Sequence, residues 1–268
     1  MPSDLSKLVD SVRSISRQAG QEILKIYDSD FDVETKADNS PLTAADRAAH
    51  ELIVASLKKL TPKIPIWSEE SASIPYTERA DWSEFWLVDP LDGTKEFIKR
   101  NGEFTVNIAL ISGNEPVLGV VHVPVTGRCY FGYQGGGAFL SDGDGASQPI
   151  AVSEQMQTPI RVVGSRSHAS PSLQTYLDII GPHVMVPMGS SLKLCLVAAG
   201  EADLYPRLGL TSEWDTAAAQ AVVECAGGKV VDVQGRRILY NTKEAVLNPF
   251  FLVFGDDSGP WVEAALSL

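Results

Sequence analysis

The chain is poor in cysteine, poor in positive charge, and free of long apolar runs, and each shortage narrows what it can be. Its three cysteines in 268 residues, Cys129, Cys195 and Cys225, form no Cys-x-x-Cys and sit among apolar neighbours. That pattern predicts buried free thiols in a reducing compartment. Twenty-two Lys and Arg face 34 Asp and Glu, a formal net charge of −12. This argues against a surface for nucleic-acid polymers or anionic membranes. A small anionic substrate stays open, because a bound cation can reverse the sign locally. No apolar stretch is long enough for a transmembrane segment, and the N-terminus lacks the charged and apolar regions of a signal peptide. The expectation is a cytoplasmic protein, with at most weak peripheral association with the inner membrane. There is no internal repeat, no low-complexity tract and no sign of an obligate protein partner. What remains is ordinary: 44% hydrophobic and 21% charged residues, enough to bury a full core in one large domain or two small ones.

Periodicity divides the chain into two halves, residues 1–155 and 156–268, joined near Ser153 to Pro159. Leu5, Leu8, Val9, Val12, Ile15, Ala19, Ile23 and Leu24 recur at helical spacing, so the first half opens with a long amphipathic helix. Phe31 to Lys36 reads as a short extended piece and Ala37 to Pro41 as a polar turn. A second helix starts at Thr43-Ala44-Ala45-Asp46, with Thr43 as its N-cap, and stops at Thr61-Pro62. Ile64 to Trp67 is a short strand ended by Ser68-Glu69-Glu70-Ser71. Glu103 to Ser112, Pro116 to Val123 and Arg128 to Tyr133 are β-rich and separated by turn residues, predicting an antiparallel meander. Asp142 to Gly145 has neither the spacing nor the terminal Glu of a calcium loop and reads as a hairpin turn. From Ile160 onward strands alternate with helices, which marks an α/β second half.

The most informative stretch is Phe85-Trp86-Leu87-Val88-Asp89-Pro90-Leu91-Asp92-Gly93-Thr94. An apolar run reads as a buried strand. Pro90 has no N–H and is expected to stop the ladder, and Gly93 permits a sharp turn or a close approach. Asp89 and Asp92 are thereby sent to one spot with Thr94 beside them. Carboxylates held so close repel one another and call for a cation, and an all-oxygen ligand set favours Mg²⁺. Further along, Asp215 of Glu213-Trp214-Asp215 stands at the start of an Ala-rich helix, where it is expected to be the N-cap.

Asp-Pro-Leu-Asp-Gly-Thr after an apolar strand resembles the metal-binding signature of the inositol monophosphatase superfamily of Mg²⁺-dependent phosphatases. The upstream Glu69-Glu70 pair, Thr43-Ala44-Ala45-Asp46 and the downstream Trp214-Asp215 match that family too. The resemblance implies an α/β fold in αβαβα layers, of the inositol monophosphatase and fructose-1,6-bisphosphatase type. It implies two Mg²⁺ ions, with a third, looser one near Glu69. Glu69, Asp89 and the Leu91 carbonyl would hold the first ion, and Asp89, Asp92 and Asp215 the second. A water activated at the ions and oriented by Thr94 with Asp46 would attack phosphorus in line. Backbone N–H groups of Gly93 and Thr94 would hold phosphate oxygens. Glu70 would lie nearby, its role left open by the resemblance.

Lys95 to Phe104, Lys36 to Pro41, Ser165-Arg166-Ser167-His168, Gly189-Ser190-Ser191-x-Lys193 and Tyr205-Pro206-Arg207 are similar to the bacterial 3′(2′),5′-bisphosphate nucleotidases within this superfamily. By that similarity His168, Ser190, Lys193 and Arg207 bind a small-molecule bisphosphorylated nucleotide, adjoining Glu69, Leu91, Asp92, Gly93, Thr94 and Asp215 at the reacting phosphate. The activity implied is hydrolysis of the 3′-phosphate of adenosine 3′,5′-bisphosphate to AMP, with 3′-phosphoadenylyl sulfate as a second substrate. Two rival readings stand beside it: the same chemistry on inositol phosphate or fructose 1,6-bisphosphate, and a non-catalytic phospho-ligand sensor that kept the fold.

Overall fold

The computed structural model describes residues 4–29, 33–35, 41–71, 73–143, 145–156, 158–164 and 171–268, with backbone only for 33–35 and 41–43. Helix α1 (Leu5–Tyr27) is followed by a small hairpin, β1 (Val33–Thr35) and β2 (Pro41–Thr43), and by α2 (Ala44–Leu60). Thr43 closes β2 directly before α2, and the capping expected of it lies outside the described side chains. Next come β3 (Ile66–Ser68), a 3₁₀ turn at Glu69–Ser71, α3 (Tyr76–Arg79), β4 (Glu84–Asp92) and α4 (Thr94–Ile98). The meander follows as β5 (Thr105–Ser112), β6 (Glu115–His122), β7 (Arg128–Tyr133), β8 (Gly137–Asp142) and β9 (Gln148–Ile150).

The second half runs β10 (Ile160–Gly164), α5 (Pro171–Ile180), β11 (His183–Pro187), α6 (Leu192–Ala198) and β12 (Leu204–Arg207). It continues with α7 (Glu213–Cys225), β13 (Lys229–Asp232), β14 (Phe251–Phe254) and α8 (Trp261–Leu266). Among the described residues β3 to β9 form one sheet in chain order, and the second half forms another, in the order β11-β10-β12-β14-β13. β3 and β4 pair in parallel and the rest of the first sheet is antiparallel. β8 and β9 pair as a hairpin across Asp142 to Gly145, as the sequence predicted.

The layers are αβαβα. Helices α1 and α2 cover the outer face of the first sheet, burying Val9, Val12, Ile15, Ala19, Ile23, Ile53 and Leu57 against Trp86, Val88, Ile108 and Val120. Helices α6 and α7 fill the space between the sheets, where Phe85, Leu87, Ala109 and Val121 meet Ala217, Ala218, Val222 and Val253. α5 and α8 cover the far face of the second sheet through Tyr176, Leu177 and Trp261. The continuous apolar run Phe85–Val88 is explained by this arrangement: β4 is buried on both faces, so alternate residues enter different cores. Cys129 and Cys195 are buried free thiols, whereas Cys225, expected to be buried, is only half so.

Candidate active site

The site lies where β4 runs out against the first turn of α7. Pro90 does not end the ladder. Pairing with β5 lapses after Asp89↔Asn107 and resumes at Asp92↔Thr105, an irregularity that lets the strand absorb the missing N–H and continue to Asp92. The Leu91 N–H donates to Asp89 Oδ1 at 3.0 Å, folding that carboxylate back over the irregularity. Gly93 then adopts φ = 95°, a left-handed conformation suited to glycine, and α4 begins at Thr94. Thr94 Oγ1 lies 3.5 Å from the Leu91 carbonyl oxygen, to which it donates.

Asp215 is not the N-cap of α7. Ser212 takes that position, and Asp215 sits at N3, where its Oδ2 accepts the Ser212 N–H at 2.9 Å in a capping box. The role moves by one turn because Glu213 and Trp214 are already helical. Asp46 is fully buried in the first turn of α2.

These acids are close enough to act on each other. Burial, followed by the charges of Glu69, Asp92, Asp215 and Asp46, pushes the Asp89 carboxyl well above the usual range. Asp92 is pushed up mainly by burial, with the Lys193 charge and the Ser191 N–H opposing. Asp215 rises to about 8, first from burial and then from Asp92. Asp92 and Asp215 keep some accessible surface because they face an open cavity of about 170 Å³. Gly93, Ser190, Lys193, Tyr205 and Arg207 line the same cavity. Lys193 Nζ donates to the Ser190 carbonyl at 2.7 Å, and its pKa is lowered by burial. Arg207 donates to the Leu210 carbonyl at 2.5 Å.

Thus Asp46, Glu69, Asp89, Asp92 and Asp215 form one electrostatic group, and Ser190, Lys193 and Arg207 bring the cationic end of the cavity against it. The Leu91 carbonyl and Thr94 join the acids through the turn itself. Burial holds the His50 pKa below its usual value, and the Glu70 charge opposes that shift. His168 lies outside the described residues. Sequence reasoning missed Ser191, whose N–H donates to Asp92 Oδ2 and whose hydroxyl donates to Asn107 Oδ1 at 2.8 Å. It also missed Glu96 and Tyr205 in the cavity wall. The Gly189-Ser190-Ser191 doublet was the available signal, and either serine could have been chosen from it.

Among the described residues no three His, Cys, Asp or Glu side chains are already drawn tightly enough around one point to hold an ion. The donor set nevertheless suits a hard divalent cation: acids whose pKa values are raised by burial and, at Asp89 and Asp215, by one another. At Asp92 and Asp215 one oxygen accepts a backbone N–H, which leaves the second for a ligand.

The chain matches the inositol monophosphatase family over residues 4–257 and belongs to it. The 3′(2′),5′-bisphosphate nucleotidase CysQ of Escherichia coli K12 is 48% identical over 252 residues, covering 92% of this chain and 99% of that protein. Its counterpart in Haemophilus influenzae is 36% identical over 255 residues, 95% of each chain. The crystal structure of CysQ from Bacteroides thetaiotaomicron superposes with a TM-score of 0.82 at 41% identity, covering 96% of this chain and 99% of that one. The suhB protein of Bartonella henselae gives 0.78 at 26% identity over 97% and 98%.

Proposed function

We propose that this chain is a Mg²⁺-dependent phosphatase that removes the 3′-phosphate of adenosine 3′,5′-bisphosphate, giving AMP and phosphate, with 3′-phosphoadenylyl sulfate as a second substrate. The observation that carries the reading is one cavity in which Asp92 and Asp215 face Lys193 and Arg207. An acidic end suits cations and the phosphate they bring; a cationic end suits a second phosphate. The relatives named as bisphosphate nucleotidases, alike over nearly the whole chain, support the same choice.

Glu69, Asp89, the Leu91 carbonyl, Asp92 and Asp215 would hold two ions, with a third, looser one near Glu69. Bound Mg²⁺ supplies charge neutralisation and polarises the attacking water and the phosphoryl oxygens. The remaining work falls to the chain. Asp46 and Thr94 orient the water, and the N–H groups of Gly93 and Thr94, at the start of α4, bind the phosphoryl oxygens. Ser190, Lys193 and Arg207, with His168, hold the nucleotide and its 5′-phosphate so that the 3′-phosphorus lies in line with the water. Residues 1–155 supply the metal-binding half and residues 156–268 the substrate half of one catalytic unit. No helix among the described residues is long and apolar enough to cross a membrane; the reading places the enzyme in the cytoplasm.

The test is phosphate release with Mg²⁺ from adenosine 3′,5′-bisphosphate, inositol 1-phosphate and fructose 1,6-bisphosphate at equal low concentration. A strong preference for the nucleotide is expected. Preference for inositol phosphate would discard the roles of Lys193 and Arg207, and release from none would favour the sensor.

A further inference from the structure

Arg79 is a full positive charge in the interior, at 2% exposure, on a four-residue helix with no part in the chemistry above. Its guanidinium lies 4.1 Å from the centre of the Trp67 ring and 4.9 Å from that of Tyr76. Its Nη1 donates to Asn241 Oδ1 and its Nη2 to the Glu244 carbonyl, at 2.6 Å. Asn241 closes the clasp in the other direction, since its Nδ2 donates to the Arg79 carbonyl at 2.6 Å. The Asn241 N–H in turn donates to Glu213 Oε2 at 2.7 Å, and Glu213 has no exposed surface. Asn241 achieves this at φ = 55°, a left-handed conformation that asparagine tolerates better than most residues.

The two ends of this chain of contacts are significant. Trp67 is two residues before Glu69, and Glu213 is two residues before Asp215. The Trp67 and Trp214 rings also meet edge to face, 5.8 Å apart. Glu69 and Asp215 arise almost 150 residues apart, in the 3₁₀ turn after β3 and on the helix between the sheets. Apolar groups of similar volume could fill this space with no loss of stability, whereas a planar guanidinium fixes direction as well as distance.

We infer that Arg79 is a positioning residue, which locks the end of β3 to the start of α7 so that Glu69 and Asp215 face the same cation. The inference rests on the metal-binding reading above. The experiment is calorimetric titration of Mg²⁺ into metal-stripped protein without substrate, for wild type, Arg79→Met, Arg79→Lys and Asn241→Gly. Circular dichroism of each establishes that it is folded. Arg79→Met is expected to bind Mg²⁺ about 10-fold or more weakly, the scale typical for residues that orient metal ligands, with Arg79→Lys between it and wild type. Should Arg79→Met not fold, Asn241→Gly decides, because glycine keeps the left-handed backbone and removes only the clasp. Folded variants that bind Mg²⁺ like wild type and merely melt earlier would overturn the inference. Folded wild type that takes up no Mg²⁺ would instead overturn the metal reading beneath it.

Discussion

Gly119 of β6 and Ala218 of α7 are in backbone contact: a Cβ built on Gly119 would stand 2.0 Å from the Ala218 carbonyl oxygen. The helix that carries Asp215 therefore lies directly on the first sheet, with alanines on its neighbouring turns. Gly119→Ala should push α7 off its seat and lower stability by about 2 kcal/mol or more, as overpacking of a close backbone contact does. Urea denaturation measures this. An unchanged midpoint would mean that the helix can shift freely.

Asp89 is the residue on which the acidic group converges. Asp89→Asn should cost at least about 10³-fold in turnover, the equivalent of several kcal/mol of lost transition-state stabilisation. It should not destabilise the metal-free fold, because it removes a repelling charge from among Glu69, Asp92, Asp215 and Asp46. Phosphate release and thermal melting in chelator check the two halves together. Retained turnover would remove Asp89 from the ligand set.

Lys193 and Arg207 should separate the nucleotide from smaller esters. Replacing either by Ala removes a charge-assisted contact, which predicts a loss of roughly 10- to 100-fold in kcat/KM for adenosine 3′,5′-bisphosphate. Inositol 1-phosphate, which has no second phosphate to hold, should change far less. Equal losses on both would indicate that the two cations act at the reacting phosphate.

Lithium should inhibit in competition with Mg²⁺, since a site of crowded carboxylates accepts a small hard monovalent ion but gains less neutralisation from it. Full activity at high lithium, across a range of Mg²⁺ concentrations, would count against the proposed metal site.

His122 predicts a pH effect remote from catalysis. It is buried beside Gly20, its Nδ1 has no partner among the described residues, and burial pushes its pKa down to about 4. The unfolded chain binds a proton there from about pH 6.5 downward, while the folded chain resists until about pH 4. Stability therefore falls as pH drops through that window, by about 2 kcal/mol between pH 7.5 and 5 from this residue alone. His122→Phe should lack that increment. Denaturation of both proteins at the two pH values tests it, and parallel losses would refute it.

The acidic group was legible because its members sit in short strings, such as Asp-Pro-Leu-Asp-Gly-Thr and Trp-Asp, that follow apolar elements of clear period. Local strings do not encode which of two neighbouring positions turns inward. Asp215 looked like a cap because acids favour helix starts, yet Ser212 had the better geometry for it. Pro90 looked like a terminator because it lacks a donor, but the pairing with β5 skips a rung there and resumes at Asp92. Arg79 was invisible for a deeper reason. An isolated arginine in a polar stretch is normally solvated, and what buries this one, Asn241 and Glu244, lies about 160 residues away. The short helices α3 and α4 went unseen because four or five residues give too little periodicity to read.

Helix α7 is both the wall between the two sheets and the bearer of Asp215. Most globular proteins keep their reactive groups on segments that can breathe while the interior stays shut. Here the body of α7 is buried between the two sheets, and its amides are expected among the slowest to exchange. Any opening that frees Asp215 must part the sheets, so deuterium should enter that helix only through global unfolding, and ligand capture is left to side chains and loops at the cavity mouth.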